Sequence, residues 1–416
     1  MDKLTPEQQT AVDKVRDGQH VMITGPAGTG KSFLISHLCD MLTQDGRLYA
    51  LTAPSAVAAL NIRGVTIHRF LGITPYVETL EHYQVWRRRV KSKIDWQALQ
   101  AIIIDEVSMC HPEMFVLLSE ICKWHLGNTR PFGGLQMIFI GDFLQLSPIH
   151  KGEVECKYVF QTALWAEMNV AIVHLKQIIR QKDPDFARAL NDIRRGVLST
   201  RARTMIDFCS NNKLQPGKKY TTLCSKKIEC EIGNNNELHK LHTPAHVYRA
   251  TESGDTKLLK DCLAEKIITL KVGATVMLVR NLPEDGLCNG SIGTVVDLES
   301  AAVQVQFNDD RTIWLGKVKW EILRMQKDRS PQVLASRSQI PLRLSWFISI
   351  HKSQSLSIDH VTADCKDIFT TAQLYVMLSR AKTKEGLIIK NFEPSALRAD
   401  HVAVEFYEKA ARPVKE

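Results

Sequence analysis

The chain has 416 residues, enough to bury a sizeable core and to form two to four domains. It is 44% hydrophobic and 24% charged with a formal net charge of +9, the composition of a soluble globular protein biased toward polyanionic partners. No apolar run approaches the ~20 residues of a membrane-spanning helix, Met1–Thr5 carry no secretory core, and the ten cysteines are scattered without a Cys-x-x-Cys pair. Reduced thiols, no membrane and an intracellular, reducing compartment are therefore expected.

Leu4 to Arg16 reads as an opening helix, with Thr5 as N-cap and Pro6 in its first turn. An apolar strand, Val21–Thr24, then runs into Gly25-Pro26-Ala27-Gly28-Thr29-Gly30-Lys31-Ser32, which fits the phosphate-loop pattern at every fixed position. Apolar residues at helical spacing (Phe33, Leu34, Leu38, Met41, Leu42) follow it. Glycines let backbone N–H groups close around a polyphosphate, and the helix N-terminus adds a positive dipole end. Lys31 is expected to reach the β- and γ-phosphates and Ser32 to ligate Mg²⁺, so the chain binds a nucleoside triphosphate.

Further short strands are expected at Leu48–Thr52, Ala101–Ile104, Met137–Ile140 and Val170–Leu175, alternating with helices around a parallel sheet. The segment Leu71–Gln97 is polar, aromatic and basic and reads as a small insertion. Ile102-Ile103-Ile104 ends in Asp105-Glu106, where Asp105 suits the Mg²⁺ shell and Glu106 the attacking water. Gln145, in Gly141-Asp142-Phe143-Leu144-Gln145, suits sensing of the γ-phosphate or of that water. The α/β alternation resumes past Lys176 without a second phosphate loop, with strands expected at Tyr220–Cys224, Ser345–Ile350, Val361–Ala363 and Gly386–Ile389. Between them, turn residues at close intervals across Lys271–Leu323 indicate an inserted small β-barrel. Arg180 and Arg380 lie near the two ends of this half, placed as cations for the γ-phosphate charge.

As an ordered set these residues resemble the superfamily 1B DNA helicases of the PIF family. The segments are Leu4–Gln8, the phosphate loop, Thr52-Ala53-Pro54-Ser55-Ala56, Thr66-Ile67-His68, Asp105-Glu106 and Gly141–Gln145. Arg180-Gln181, Ile350-His351-Lys352-Ser353-Gln354 and Tyr375–Arg380 complete them. Pro131–Gln136 resembles the end of the signature that separates this family from its RecD-like and Dda-like relatives.

The resemblance implies an α/β fold of two RecA-like domains in tandem, 1–175 and 176–416. A wedge insertion is expected at about 71–97 and an SH3-like barrel at about 266–332. It implies an ATP- and Mg²⁺-dependent helicase moving 5′ to 3′ on single-stranded DNA, acting on forked or tailed duplexes. The protein is expected to be a monomer in solution, with replication or repair proteins as further partners. Gln8 would contact adenine, although Thr5 and Gln8 also spell a capping box. Gln145, Arg180 and Arg380 would complete the nucleotide site, with Gln354 and Tyr375 beside the nucleotide. Pro54, Ser55, His68, His351 and Lys352 would line the strand, and Arg87, Arg88 and Arg89 would meet phosphates near the fork. Ser55-Ala56, Ser147 and Ser355 depart from the family's usual Thr-Gly, Pro and Gly. A remodelling motor without processive unwinding, and a GTP-binding switch, remain as other readings; for the switch, no Asn-Lys-x-Asp element occurs.

Overall fold

The computed structural model describes residues 4–73, 77–88, 94–148, 157–259, 262–282, 284, 287, 289–325, 331–354 and 356–410. The chain divides into two compact units. One comprises Met1–Ile179 with Ile322–Val333 and Phe406–Glu416; the other comprises Arg180–Glu321 with Leu334–Glu405.

The first unit opens with α1 (Pro6–Arg16), where Thr5 and Gln8 form the reciprocal capping box. There follow β1 (Val21–Thr24), α2 (Lys31–Gln44), β2 (Leu48–Ala53), α3 (Ala56–Asn61), β3 (Val65–Thr66) and α4 (Ile67–Leu71). Next come α5 (Leu80–Arg87), β4 (Leu99–Ile104), α6 (Pro112–Leu126), β5 (Gln136–Gly141), α7 (Ala163–Glu167) and β6 (Ala171–His174). The strands form one parallel six-stranded sheet in the order β3-β2-β4-β5-β1-β6. Fully apolar runs such as Ile102-Ile103-Ile104 are buried, as a sheet covered on both faces requires. Val12, Val15, Leu34, Leu38 and Leu42 from α1 and α2 pack with Ile23, Ile103, Ile138 and Ile140 from the sheet in one core.

The second unit contains α8 (Pro184–Arg194), α9 (Thr200–Asn211), β7 (Thr221–Cys224), α10 (Lys227–Lys240), β8 (His246–Arg249), β9 (Thr251–Gly254) and β10 (Ile267–Leu270). Along the chain follow β11 (Thr275–Leu278), β12 (Ile292–Leu298), β13 (Ala302–Phe307), β14 (Thr312–Gly316), β15 (Val318–Met325), β16 (Pro331–Gln339) and β17 (Leu342–Leu344), with the end of β15 and the start of β16 falling in the first unit. β18 (Phe347–Ser349), α11 (Ile350–Ser353), β19 (Val361–Asp364), α12 (Gln373–Leu378), β20 (Leu387–Lys390) and α13 (His401–Ala410) complete the chain. Its parallel sheet has the order β18-β7-β19-β20. The expected inserted β structure is a five-stranded antiparallel sheet, β14-β13-β12-β11-β17. Val276, Leu278, Val295, Val305 and Leu342 from its inner face share a core with Leu238, Tyr248 and Ile268. Its edge strand β17 lies beyond residue 332, the expected end of the insertion. That strand is too short to show an alternation of its own, and its sequence runs on into β18 after two residues.

Candidate nucleotide and nucleic-acid sites

Three loops converge at the carboxyl edge of the first sheet, because β4, β5 and β1 are neighbours there. Ligands of open parallel sheets bind at that edge. The loop after β1 is the phosphate loop. Gly30 caps α2 at φ 81°, a left-handed conformation that suits glycine. A Cβ on Gly30 would lie 2.9 Å from Gln8 Nε2, the end of a side chain that can shift, so the backbone conformation is what holds glycine here. Lys31 Nζ donates to the carbonyls of Gly25 (2.7 Å) and Pro26 (2.9 Å), and Thr29 Oγ1 also donates to Pro26 (3.0 Å). The loop is braced from outside by the Ile179 N–H, which donates to the Gly28 carbonyl at 2.7 Å. Ala27 is buried in the loop, and Ser32 sits exposed in the first turn of α2.

Gln8 is buried, and its side chain is used at both ends. Its Oε1 accepts from Thr5 N–H at 3.0 Å, and its Nε2 donates to the Thr29 carbonyl at 3.4 Å. The capping role and the contact with the phosphate loop thus coexist.

After β4, Asp105 and Glu106 are both buried, and Glu106 adopts a left-handed φ of 50°. Burial first, and repulsion from Glu106 second, push the Asp105 carboxyl up to about 8; the Glu106 N–H and the Lys31 charge pull the other way. A carboxylate that the protein itself under-compensates is suited to a hard divalent cation. Among the described residues no group of three or more His, Cys, Asp or Glu side chains is arranged to hold a metal ion by itself. An oxygen set of Asp105 and Ser32 fits Mg²⁺, which needs only one or two protein ligands beside phosphate and water.

After β5, Gly141 pairs with Thr24, and a Cβ on it would lie 3.0 Å from the Val107 nitrogen, so this loop touches both of the others. Gln145 is buried, its Nε2 donating to Asp142 Oδ2 at 3.2 Å.

In the second unit, Arg180 Nη1 donates to the Ser379 carbonyl at 3.0 Å. Gln181 Nε2 donates to the Ser379 and Ala381 carbonyls at 3.3 and 2.8 Å. Arg380 is 1% exposed, with Nε on the Val376 carbonyl at 2.8 Å, Nη2 on Ser379 Oγ at 2.9 Å and Nη1 on the Ser353 and Leu356 carbonyls. The geometry thus adds an anchoring function that sequence reasoning had not assigned to Arg380. Gln354 and Tyr375 are likewise buried, beside α11 and within α12.

The residues expected to line the strand fall in two groups. Pro54 and Ser55 follow β2, where Ser55 Oγ accepts from Ala58 N–H at 3.2 Å. His68 lies in α4, its imidazole held below its usual range by burial and then by nearby His111. In the second unit, burial depresses His351, and burial with Arg343 repulsion depresses Lys352. Lys352 and Arg343 line one cavity of about 450 Å³, with Lys227, Asn234 and Glu265. Arg343 was not apparent from sequence because it arrives on β17 from outside every motif.

Arg87 and Arg88 end α5, and Arg89 lies outside the described residues, as does Ser355. The two described arginines differ. Arg88 is exposed, whereas Arg87 is half-buried and close enough to bond Tyr83 and repel His125. An aromatic clasp holds this helix to α6: Tyr83 Oη lies 2.7 Å from His125 Nε2, and Trp96 stacks on His125 at 4.3 Å.

A family model described as PIF1-like helicase matches residues 3–204, and one for the 2B domain of DNA helicase Pif1 matches residues 256–298. The crystal structure of Pif1 helicase from Candida albicans is 32% identical, with a TM-score of 0.79 over 99% of this chain and 100% of that one. The chain belongs to the PIF1-like helicase family. Other family members named ATP-dependent DNA helicase PIF1 are 35% identical in Xenopus laevis and 33% identical in Homo sapiens, over 98% and 99% of this chain. The chain spans 64% of the length of each of these two. Bacteroides Pif1 in complex with ADP-AlF4 superimposes with a TM-score of 0.85 at 27% identity, over 98% of this chain and 97% of that one. For a PIF1-like helicase, the tandem arrangement of two parallel-sheet units is the family's fold.

Proposed function

We propose that this chain is an ATP-dependent DNA helicase that moves 5′ to 3′ on single-stranded DNA and unwinds forked or tailed duplexes. The observation that carries the reading is the gathering of the phosphate loop, the Asp105-Glu106 pair and Gln145 on adjoining strand ends, with Lys31 electrostatically coupled to Asp105. Support comes from the relatives named ATP-dependent DNA helicases, from Bacteroides Pif1 bound to single-stranded DNA, and from a structure of two coordinating Pif1 helicases at forked duplex DNA.

In this reading the Gly25–Ser32 loop holds the triphosphate, and Lys31 leaves its loop carbonyls for the β- and γ-phosphates. Ser32 and Asp105 would hold Mg²⁺, which when bound would supply charge neutralisation on the phosphates. Glu106 accepts a proton from the attacking water, and Gln145 orients that water. Arg180 and Arg380 stabilise charge developing on the γ-phosphate, while Gln8, Gln354 and Tyr375 order the nucleotide. Pro54, Ser55, His68, His351 and Lys352 follow the strand, and Arg88 serves the fork. The domain boundary near 175, the wedge at 71–97 and the barrel at 266–332 belong to the same proposal. So do the monomeric state, an intracellular setting and replication or repair partners. Among the described residues, no helix is long and apolar enough to cross a membrane.

Unwinding of paired 5′-tailed and 3′-tailed duplexes, with and without ATP, tests the proposal. Strand separation of the 5′-tailed duplex alone, and only with ATP, is expected. Preference for the 3′ tail overturns the direction, and DNA-independent ATP turnover without unwinding overturns the helicase.

A further inference from the structure

Tyr407 lies outside every motif, on the part of α13 that belongs to the first unit. Its phenol oxygen is 2.7 Å from Thr24 Oγ1, at the end of the strand that feeds the phosphate loop. The same oxygen accepts from the Phe143 N–H at 3.0 Å and lies 3.5 Å from Asp142 Oδ1. Asp142 in turn accepts from the Leu144 N–H and, through its other oxygen, from the Gln145 amide at 3.2 Å. Thr24 and Asp142 are both 0% exposed, so the chain of bonds runs through a dry interior where each one is strengthened.

The hydroxyl is not needed to hold the helix. Phe406, the preceding residue, stacks on Phe160 at 4.1 Å and meets Phe143 edge-on at 5.4 Å. What the hydroxyl adds is a direct link between Thr24, at the entry to the phosphate loop, and the loop that follows β5. We propose that Tyr407 is a positioning residue for ATP hydrolysis. By bridging Thr24 and the Asp142 loop, it fixes the amide of Gln145 relative to the phosphate loop. The proposal rests on the ATPase reading above.

The test uses the full chain and Tyr407→Phe, which keeps the ring. With saturating single-stranded DNA, kcat is expected to fall about tenfold, the worth of one hydrogen bond in a charged network. The affinity for a fluorescent ATP analogue should stay within about twofold, as for a contact that matters chiefly in the transition state. Thr24→Val, which cuts the other end of the bridge, should share the kcat loss. Because Tyr407 acts through Asp142, the Tyr407→Phe/Asp142→Asn double variant should be no slower than Asp142→Asn alone. Parent-like kcat in Tyr407→Phe, a defect confined to KM, or additive losses in the double variant overturn the inference. A parent without any ATP turnover overturns the ATPase reading and this inference together; an active parent with an equally active Tyr407→Phe overturns this inference alone.

Discussion

Arg180 and Ser379 are joined by a 3.0 Å hydrogen bond from guanidinium to carbonyl, and Ser379 immediately precedes Arg380. The two arginines expected to serve the γ-phosphate are therefore tied to each other through one short stretch of α12 and its C-terminal end. Arg180 is half-buried and reaches the stretch through its Nη1, whereas the Arg380 guanidinium is 1% exposed and engaged on all three of its nitrogens. Replacing either by Ala should lower kcat by about 10³-fold or more with far less effect on ATP affinity. Arg380→Ala should also lower Tm further than Arg180→Ala, since it strips partners from the Val376, Ser353 and Leu356 carbonyls at about 1–3 kcal/mol each. Turnover and thermal melts on both variants check this, and equal Tm losses would refute the asymmetry.

Glu106→Gln keeps the shape of the buried acid pair but removes the base. It should bind ATP as the parent does and hydrolyse it at least about 10²-fold more slowly. Lys31→Ala should weaken nucleotide binding as well. Single-turnover ATPase with a nucleotide titration separates the two effects, and parent-like turnover in Glu106→Gln rejects the assignment.

Burial first, and Arg87 repulsion second, lower His125 to about 4 from its ordinary 6.5. Between those values the unfolded chain binds a proton that the folded one refuses, so stability rises with pH from about 4 to about 6.5 and falls on acidification across the same range. His125→Phe preserves a ring against Trp96 without a titrating group. Its stability should vary less between pH 4.5 and 6.5 than the parent's, by at most about 1.4 kcal/mol per pH unit. Denaturant melts across that range decide it, and an unchanged slope rejects it.

Arg87 and Arg88 should separate in function although they are adjacent. Arg87→Ala is expected to lower Tm by loosening the clasp around Tyr83 and His125, whereas Arg88→Ala is expected to leave Tm unchanged. If Arg88 meets the fork, its loss should impair unwinding and spare ATP turnover stimulated by single-stranded DNA. Parallel loss of both activities would place Arg88 on the single-strand track.

Lys352→Gln and Arg343→Gln should each reduce the dependence of log affinity for single-stranded DNA on log salt by about 0.7, one phosphate's worth. Salt titrations on an unstructured oligonucleotide measure it, and an unchanged slope removes the residue from the track.

The phosphate loop, the acid pair and the opening helix were legible in the sequence because each is a contiguous device. A glycine-rich turn, the strand before it and the helix after it specify their own conformation, and apolar runs such as Ile102–Ile104 announce a buried parallel strand. The ordered motifs likewise carry the family resemblance in the sequence itself. Tertiary structure alone decided which faces those motifs present. It turned Arg87 inward and Arg88 outward, enclosed Arg380 among carbonyls, and brought Arg343 beside Lys352 from a strand with no motif. It also placed Tyr407 against Thr24, 383 residues away in sequence. A lone tyrosine on a helix looks the same whether its hydroxyl meets water or a buried threonine. That difference is set by packing between distant segments, which leaves no periodicity or spacing in the local sequence to read.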